Sequence, residues 1–144
     1  MKSLGNSRGI DMDLLLDTHL AYWYILGNER MPSLAKELIA DRSNRVFVSL
    51  ASAWEIGIKH AKNKEAMPMD AENFIKGCEE VGFVILPLVE DQLLSSFDVP
   101  SREELKHKDP FDRFLLGASK AINARFLTHD AKIVLYESPY TLFI

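Results

Sequence analysis

The chain has 144 residues, 47% of them hydrophobic, which is the size and composition of one globular domain. Its net charge of −4 and pI near 5.6 exclude a general attraction to nucleic acid, so a polyanion would need a local basic patch or metal ions. The single cysteine, Cys78, excludes an internal disulfide framework and fits a reducing, cytoplasmic compartment. No Cys/His cluster has the spacing of a zinc site.

We expect neither a membrane-spanning segment nor a secretory signal. No apolar run approaches the roughly 20 residues that span a bilayer. Lys2 and Arg8 are not followed by the apolar segment of a secretory signal. Residues 1–11 are polar and Gly-rich, and they are a native extension, the result of a misassigned start or added residues, ahead of an expected single domain at 12–144.

Five short apolar runs predict strands. They cover residues 13–16, 45–49, 83–88, 125–128 and 140–143, with the last at an edge. None alternates between apolar and polar residues, which is typical of strands buried on both faces of a parallel sheet.

Helical patterns fill the intervals between these strands. The predicted helices cover 18–26, a segment from about Pro32, 50–62, 71–81 and a segment from Pro110. Gly27 and Gly82 read as stop signals, and Asp70 and Asp109 as N-caps. Ser101 with Glu104 resembles a capping box. The alternation predicts an α/β fold with a mostly parallel five-stranded sheet and helices on both faces.

Four acidic residues occupy the positions where such a fold gathers its chemistry. Asp17 directly follows the first strand, and Asp130 follows the fourth by one intervening residue. Glu55 lies one to two turns into the helix after the second strand, and Asp112 at the third position of the helix capped by Asp109. Ligand sites of parallel sheets lie outside the carboxyl ends of the strands, so we expect the four acids to converge there.

Carboxylates brought together without a partner raise one another's pKa, and a divalent cation resolves this conflict. Mg²⁺ and Mn²⁺ take oxygen ligands, can activate water, and as a pair can clamp a phosphodiester. Taken singly, an acid in such a position is more often a cap or a dipole partner than a ligand, and Glu55 could be only the partner of Lys59 four residues on. The metal interpretation therefore depends on the joint pattern.

The flanking strings resemble a known family. LLLDTH (14–19), SLASAWEIGIK (49–59), KDPFDRFLLGA (108–118) and FLTHD (126–130) look like PIN-domain ribonucleases, and more specifically like the VapC-type toxins of prokaryotic VapBC toxin–antitoxin pairs. The similarity runs from about Met12 to the C-terminus. It implies a three-layer α/β/α fold, Mg²⁺- or Mn²⁺-dependent RNA cleavage and inhibition by a small antitoxin protein.

Carried over by motif, the resemblance assigns roles to individual residues. The metal-binding and catalytic acids become Asp17, Glu55, Asp112 and Asp130, with Glu55 acting directly or through water. The supporting positions are Thr128, either Ser49 or Ser52, Asp109 as a cap, and Arg113 as a phosphate-holding residue or the partner of an acid. Gly117 departs from the alanine common in relatives, and we expect it to affect helix stability more than chemistry.

Residues around the acids have two interpretations each. His19 could approach a phosphate or simply lie on the surface, and His129 is expected to point away from the site. Basic residues at 59–64 and 106–108 could rim the site or only be solvated. Tyr22 and Trp23 could stack bases, pack in the core, or form an apolar patch for a homodimer or an antitoxin.

The sequence thus predicts a cytoplasmic, metal-dependent endoribonuclease with RNA as substrate, an antitoxin as partner and a homodimeric state. The alternative from another class is a non-catalytic module that binds RNA or protein. A Rossmann-like phosphomonoesterase is less favoured, because LLLDTH lacks the second Asp that would act as the acid.

Overall fold

Five strands form one parallel sheet in the computed structural model, which describes residues 11–100, 109–136 and 138–144. The strands are β1 (Asp13–Leu16), β2 (Arg45–Ser49), β3 (Val84–Leu86), β4 (Arg125–Thr128) and β5 (Thr141–Phe143). They lie in the order β3-β2-β1-β4-β5, and all four neighbouring pairs are parallel. The predicted sheet is confirmed, with β3 shorter than the apolar run that indicated it.

The central strand explains why its sequence does not alternate. Leu14, Leu15 and Leu16 of β1 are all completely buried. Leu14 and Leu16 belong to the core on one face of the sheet, and Leu15 to the core on the other. A strand covered on both faces needs apolar residues at every position.

Six α-helices and one 3₁₀ helix lie within the described ranges. They are α1 (Thr18–Leu26), α2 (Ser33–Ala40), α3 (Leu50–Lys62), α4 (Ala71–Glu80), α5 (Glu90–Ser96), α6 (Pro110–Ile122) and the 3₁₀ helix Ala131–Leu135. The patterns predicted α1 to α4 and α6 but not α5. The predicted capping box at Ser101 lies outside the described residues. None of the helices in these ranges is long and apolar enough to cross a bilayer.

The predicted helix ends are confirmed by their caps. Asp70 accepts a hydrogen bond from the Asn73 amide at 2.8 Å, and Asp109 accepts one from the Phe111 amide at 2.9 Å. Gly27 closes α1 in the left-handed conformation, with φ of 65°, which glycine adopts at little cost.

The helices form two layers. Side chains of α1 to α4 pack on the face that carries Leu14 and Leu16. Those of α6 and the 3₁₀ helix pack on the face of Leu15. This is the predicted three-layer α/β/α arrangement.

The strand order places a crevice at one edge of the sheet. The chain proceeds from β1 through β2 to β3 on one side, and then crosses to β4 and β5 on the other. The carboxyl ends of β1 and β4 are therefore neighbours at a topological switch point, where open sheets bind ligands.

Gly117 has a packing role that its sequence position did not reveal. A Cβ at this position would lie 2.4 Å from both the Cα and the backbone nitrogen of Ser96. Real Cβ atoms do not approach a backbone this closely, so the glycine allows α6 to pack directly on the end of α5.

We therefore expect Gly117→Ala to destabilise the fold by about 1–3 kcal/mol or more, because the overpacked helix pair must separate. Urea denaturation measures the free energy of unfolding. Gly57→Ala is the matched control, since its Cβ would meet only the Ala71 Cβ at 3.2 Å. Equal losses in the two variants, or a gain in Gly117→Ala, would contradict the close-packing account.

Candidate active site

Asp17 is a buried carboxylate at the end of the central strand. Its backbone amide donates to the Leu127 carbonyl oxygen at 2.9 Å, which extends the pairing of β1 with β4. The residue is 6% exposed. Its Oδ1 accepts from the Thr18 amide at 2.8 Å, and its Oδ2 accepts from the Thr128 hydroxyl at 2.7 Å. Both carboxylate oxygens are thereby fixed in place.

Burial raises the pKa of the Asp17 carboxyl above its ordinary value of 3.8. The Thr128 hydrogen bond, the charge of His19 and the Thr18 amide oppose this rise, and the negative charge of Glu55 adds to it. The ionised form of Asp17 is therefore costly in the protein alone, and a nearby positive charge would stabilise it.

Thr128 connects Asp17 to Asp130. While its hydroxyl donates to Asp17, its oxygen accepts from the Asp130 amide at 3.0 Å. Asp130 is half-buried, and its Oδ1 accepts from the Lys132 amide at 2.9 Å at the start of the 3₁₀ helix. Asp17 and Asp130 both line a cavity of about 240 Å³ at the carboxyl ends of β1 and β4.

Glu55 lies on α3, close enough for its charge to act on Asp17. It is buried, and its Oε2 is 2.8 Å from the Nζ of Lys59. The i,i+4 ion pair anticipated as the alternative explanation of Glu55 is thus present. Lys59 is partly exposed and places a positive charge beside Glu55.

The two candidate serines differ in what they contact, although both are fully buried. The Ser49 hydroxyl accepts from the Ala51 amide at 3.0 Å and caps α3. The Ser52 hydroxyl is 2.8 Å from the Thr18 hydroxyl. Ser52 therefore joins α3 to the residue after Asp17, a role of Thr18 that the sequence did not reveal.

Asp112 lies in the first turn of α6, buried, above the cap made by Asp109. It does not line the cavity shared by Asp17 and Asp130. Its neighbour Phe111 meets the ring of Trp54 edge-on, with centroids 5.4 Å apart. Because Trp54 precedes Glu55, this contact packs the two acid-bearing helices, α3 and α6, side by side.

Arg113 contacts the segment that follows α5. Its Nη1 donates to the carbonyl oxygens of Ser96 and Val99 at 3.0 and 3.1 Å, and its guanidinium lies 5.3 Å from the centre of the Tyr136 ring. Burial raises the pKa of Tyr136, Arg113 opposes the rise, and Asp112 and Asp109 add to it. Arg113 thus ties α5 to α6 beside the acids. The basic residues at 106–108 lie outside the described ranges.

The structure therefore brings the predicted acids together to different degrees. Asp17 and Asp130 share a cavity, Glu55 lies within electrostatic range of Asp17, and Asp112 is on the helix packed against α3. Within 11–100, 109–136 and 138–144, no three His, Cys, Asp or Glu side chains form a ready-made metal cluster. Mg²⁺ commonly uses one or two carboxylates with water and phosphate oxygens, which fits the Asp17 and Asp130 pair.

Two histidines also lie beside these acids. His19 and His129 line the same cavity, together with Leu20 and Trp23. The expectation that His129 points away from the site is wrong, because His129 lines this cavity. Tyr22 and Trp23 of α1 are both half-buried, and their side chains pack against the core.

Comparison with known proteins relates the chain to one family. A family model of the PIN domain matches residues 14–137. No curated protein sequence matches the chain. Among solved structures, VapBC2 from Rickettsia felis bound to a DNA fragment from its promoter is similar, with a TM-score of 0.61 at 16% identity over 92% of this chain and 98% of that chain.

Two further structures give the same result. The DNA-bound VapBC of Salmonella typhimurium has a TM-score of 0.61 at 14% identity, over 92% of this chain and 97% of that chain. A toxin–antitoxin complex from Klebsiella pneumoniae has a TM-score of 0.57 at 20% identity, over 90% of this chain and 95% of that chain. At these identities the likeness concerns the fold.

The raised pKa of Asp17 predicts how stability depends on pH. Protonation of the Asp17 carboxyl favours the folded state. This contribution to the free energy of unfolding is fully present below the unfolded-state pKa near 3.8, and it is lost as pH rises through the folded-state pKa. At neutral pH in EDTA, Asp17→Asn should therefore have a larger free energy of unfolding than the wild type. The difference should disappear as pH falls below 3.8, as measured by urea denaturation across pH. A difference independent of pH would refute the burial cost.

Proposed function

The chain belongs to the PIN domain family, and we propose that it is a Mg²⁺- or Mn²⁺-dependent endoribonuclease. The observation that carries the proposal is the buried Asp17 carboxylate, joined through the Thr128 hydroxyl to Asp130 at the edge of the sheet where ligands bind. Burying this charge is costly in the protein alone, and the cost has a functional explanation if a cation binds here.

Oxygen donors make up the proposed metal site, which is the chemistry that a hard cation requires. Asp17 and Asp130 would hold the ion, and Glu55 and Asp112 would contribute directly or through water. When bound, the cation lowers the pKa of water and neutralises phosphate charge. A carboxylate has about four lone-pair positions, of which Asp17 uses two for Thr18 and Thr128, so capacity for a ligand remains.

The protein's own groups position and balance these charges. The Thr128 hydroxyl fixes Oδ2 of Asp17, and the Thr18–Ser52 hydroxyl contact holds α3 beside it. Lys59 offsets the charge of Glu55 and lies partly exposed at the rim, where it can attract a phosphate. These contacts support RNA binding by local charge despite the net charge of −4.

We further propose that the chain is the toxin of a type II toxin–antitoxin pair, with a small antitoxin and a second copy of itself as partners. The similar solved structures include VapBC complexes and a toxin–antitoxin complex. Apolar side chains on α3 and after α5 also support protein partners, since Trp54 is 59% and Phe97 73% exposed.

One observation favours the non-catalytic alternative, a PIN module that only binds RNA or protein. Glu55 is already paired with Lys59, and the part of the chain that the structure describes has no preassembled three-ligand cluster. A binding module would keep the fold and the basic rim without needing a cation. Metal binding and turnover separate the two functions.

We expect Asp17→Asn to abolish Mn²⁺-dependent RNA cleavage, because it removes the central charged ligand but keeps the side-chain shape. Cleavage of total RNA in Mg²⁺, Mn²⁺ or EDTA, with end mapping of the products, is the measurement. Asp13→Asn is the matched control, since Asp13 lies at the start of the same strand and pairs with Arg45 at 2.7 Å. It should cleave like the wild type.

A second measurement does not depend on activity. Mn²⁺ should raise the melting temperature of the wild type and of Asp13→Asn, and leave Asp17→Asn unchanged, because only an intact site binds the ion. Equal cleavage by wild type and Asp17→Asn would overturn the assigned site. Mn²⁺ binding without any cleavage would favour the binding module.

A further inference from the structure

The cavity beside Asp17 contains more than the acids that the proposed reaction uses. Its lining consists of Asp17, His19, Leu20, Trp23, His129 and Asp130. Three of these six side chains are aromatic rings with no part in the proposed chemistry. The cavity has a volume of about 240 Å³ and lies directly beside Asp17 and Asp130.

One wall of the cavity is an aromatic pair on α1. His19 and Trp23 are four residues apart and so lie on the same face of the helix. Their ring centroids are 5.8 Å apart with the planes tilted by 48°. Trp23 is half-buried and packs against the core, which holds its ring in place, whereas His19 is exposed.

The segment after β4 contributes a third ring. The Nδ1 of His129 is hydrogen-bonded to the carbonyl oxygen of Ile144, and its ring lies within 9° of parallel to the Phe143 ring at 6.2 Å. His129 is exposed although it is held on two sides. Core packing explains the buried side of Trp23, but it does not explain why two exposed histidines, His19 and His129, line the cavity beside the acids.

We propose that this cavity binds one unstacked base of single-stranded RNA, at a nucleotide next to the phosphate that is cut. The inference rests on the proposed nuclease function, which puts that phosphate at Asp17 and Asp130. Aromatic side chains stack on any base, because every base has a π-face. A base within a duplex keeps its stacking partners and is not free to enter the cavity.

Tryptophan fluorescence tests the site without relying on cleavage. The chain has two tryptophans, so Trp54→Phe leaves Trp23 as the sole reporter. In an Asp17→Asn background, which prevents turnover, a short single-stranded RNA should quench Trp23 saturably and the matching duplex should not. Trp23→Phe, which keeps Trp54 alone, is the control and should show no comparable quenching. Absence of quenching at Trp23, or equal quenching at both tryptophans, would overturn the proposal.

Steady-state cleavage tests the position of the base. An oligonucleotide with one mapped cut is compared with versions that lack the base at each position flanking the cut. One abasic position should raise KM about 10- to 100-fold in the wild type. Trp23→Leu should raise KM similarly on intact RNA. On the abasic RNA the same variant should cause no further rise in KM, because the contact between the base and the Trp23 ring is already absent.

His129→Ala is a second variant, and it should not disturb folding because His129 is exposed. It should show a smaller but likewise non-additive rise in KM. Additive losses in both variants, or uniform cleavage of all abasic substrates, would overturn the base site and leave the nuclease proposal intact. If the wild type cleaves no RNA in either cation, the nuclease proposal fails, and the fluorescence titration alone decides whether a base binds.

Discussion

The burial of the Asp17 carboxylate at the end of the central strand is the constraint around which this edge of the molecule is organised. A buried charge is tolerated only if hydrogen bonds or opposite charges compensate it. The compensation comes from two neighbouring elements, the Thr18 amide that opens α1 and the Thr128 hydroxyl that ends β4. Neither contact carries a full positive charge, and together with the nearby charge of His19 they do not outweigh the effect of burial, so the pKa of Asp17 stays raised.

Helices, rather than strands, supply the other two acids. Glu55 and Asp112 are carried by α3 and α6, and each helix is held by a contact one to three residues from its acid. Ser52 joins α3 to Thr18, and Trp54 packs on Phe111. Because these contacts are adjacent to the carboxylates, the packing of the helices also sets how close the acids can come to the strand edge.

Local patterns were sufficient to predict most of the fold, because strand burial and helix caps depend on neighbouring residues. Helix α5 was missed since its seven residues begin without a side-chain cap and it depends on α6 and Arg113 for support. From the local pattern alone, Gly117 is expected only to weaken its helix. Its function depends on the backbone of Ser96, which is distant in sequence and invisible to any local pattern.

The candidate site shows the same boundary between local and non-local information. Acids at strand ends could be recognised, but the contact of Ser52 with Thr18 spans 34 residues, and no local pattern distinguishes it from the capping contact of Ser49. His129 was expected to face away because strand residues alternate, yet β4 ends at Thr128 and the alternation ends with it. The aromatic lining therefore comes from α1 and from the residue that follows β4. The acids at this edge follow from the strand pattern, whereas the rings beside them depend on how α1 and the segment after β4 pack around the cavity.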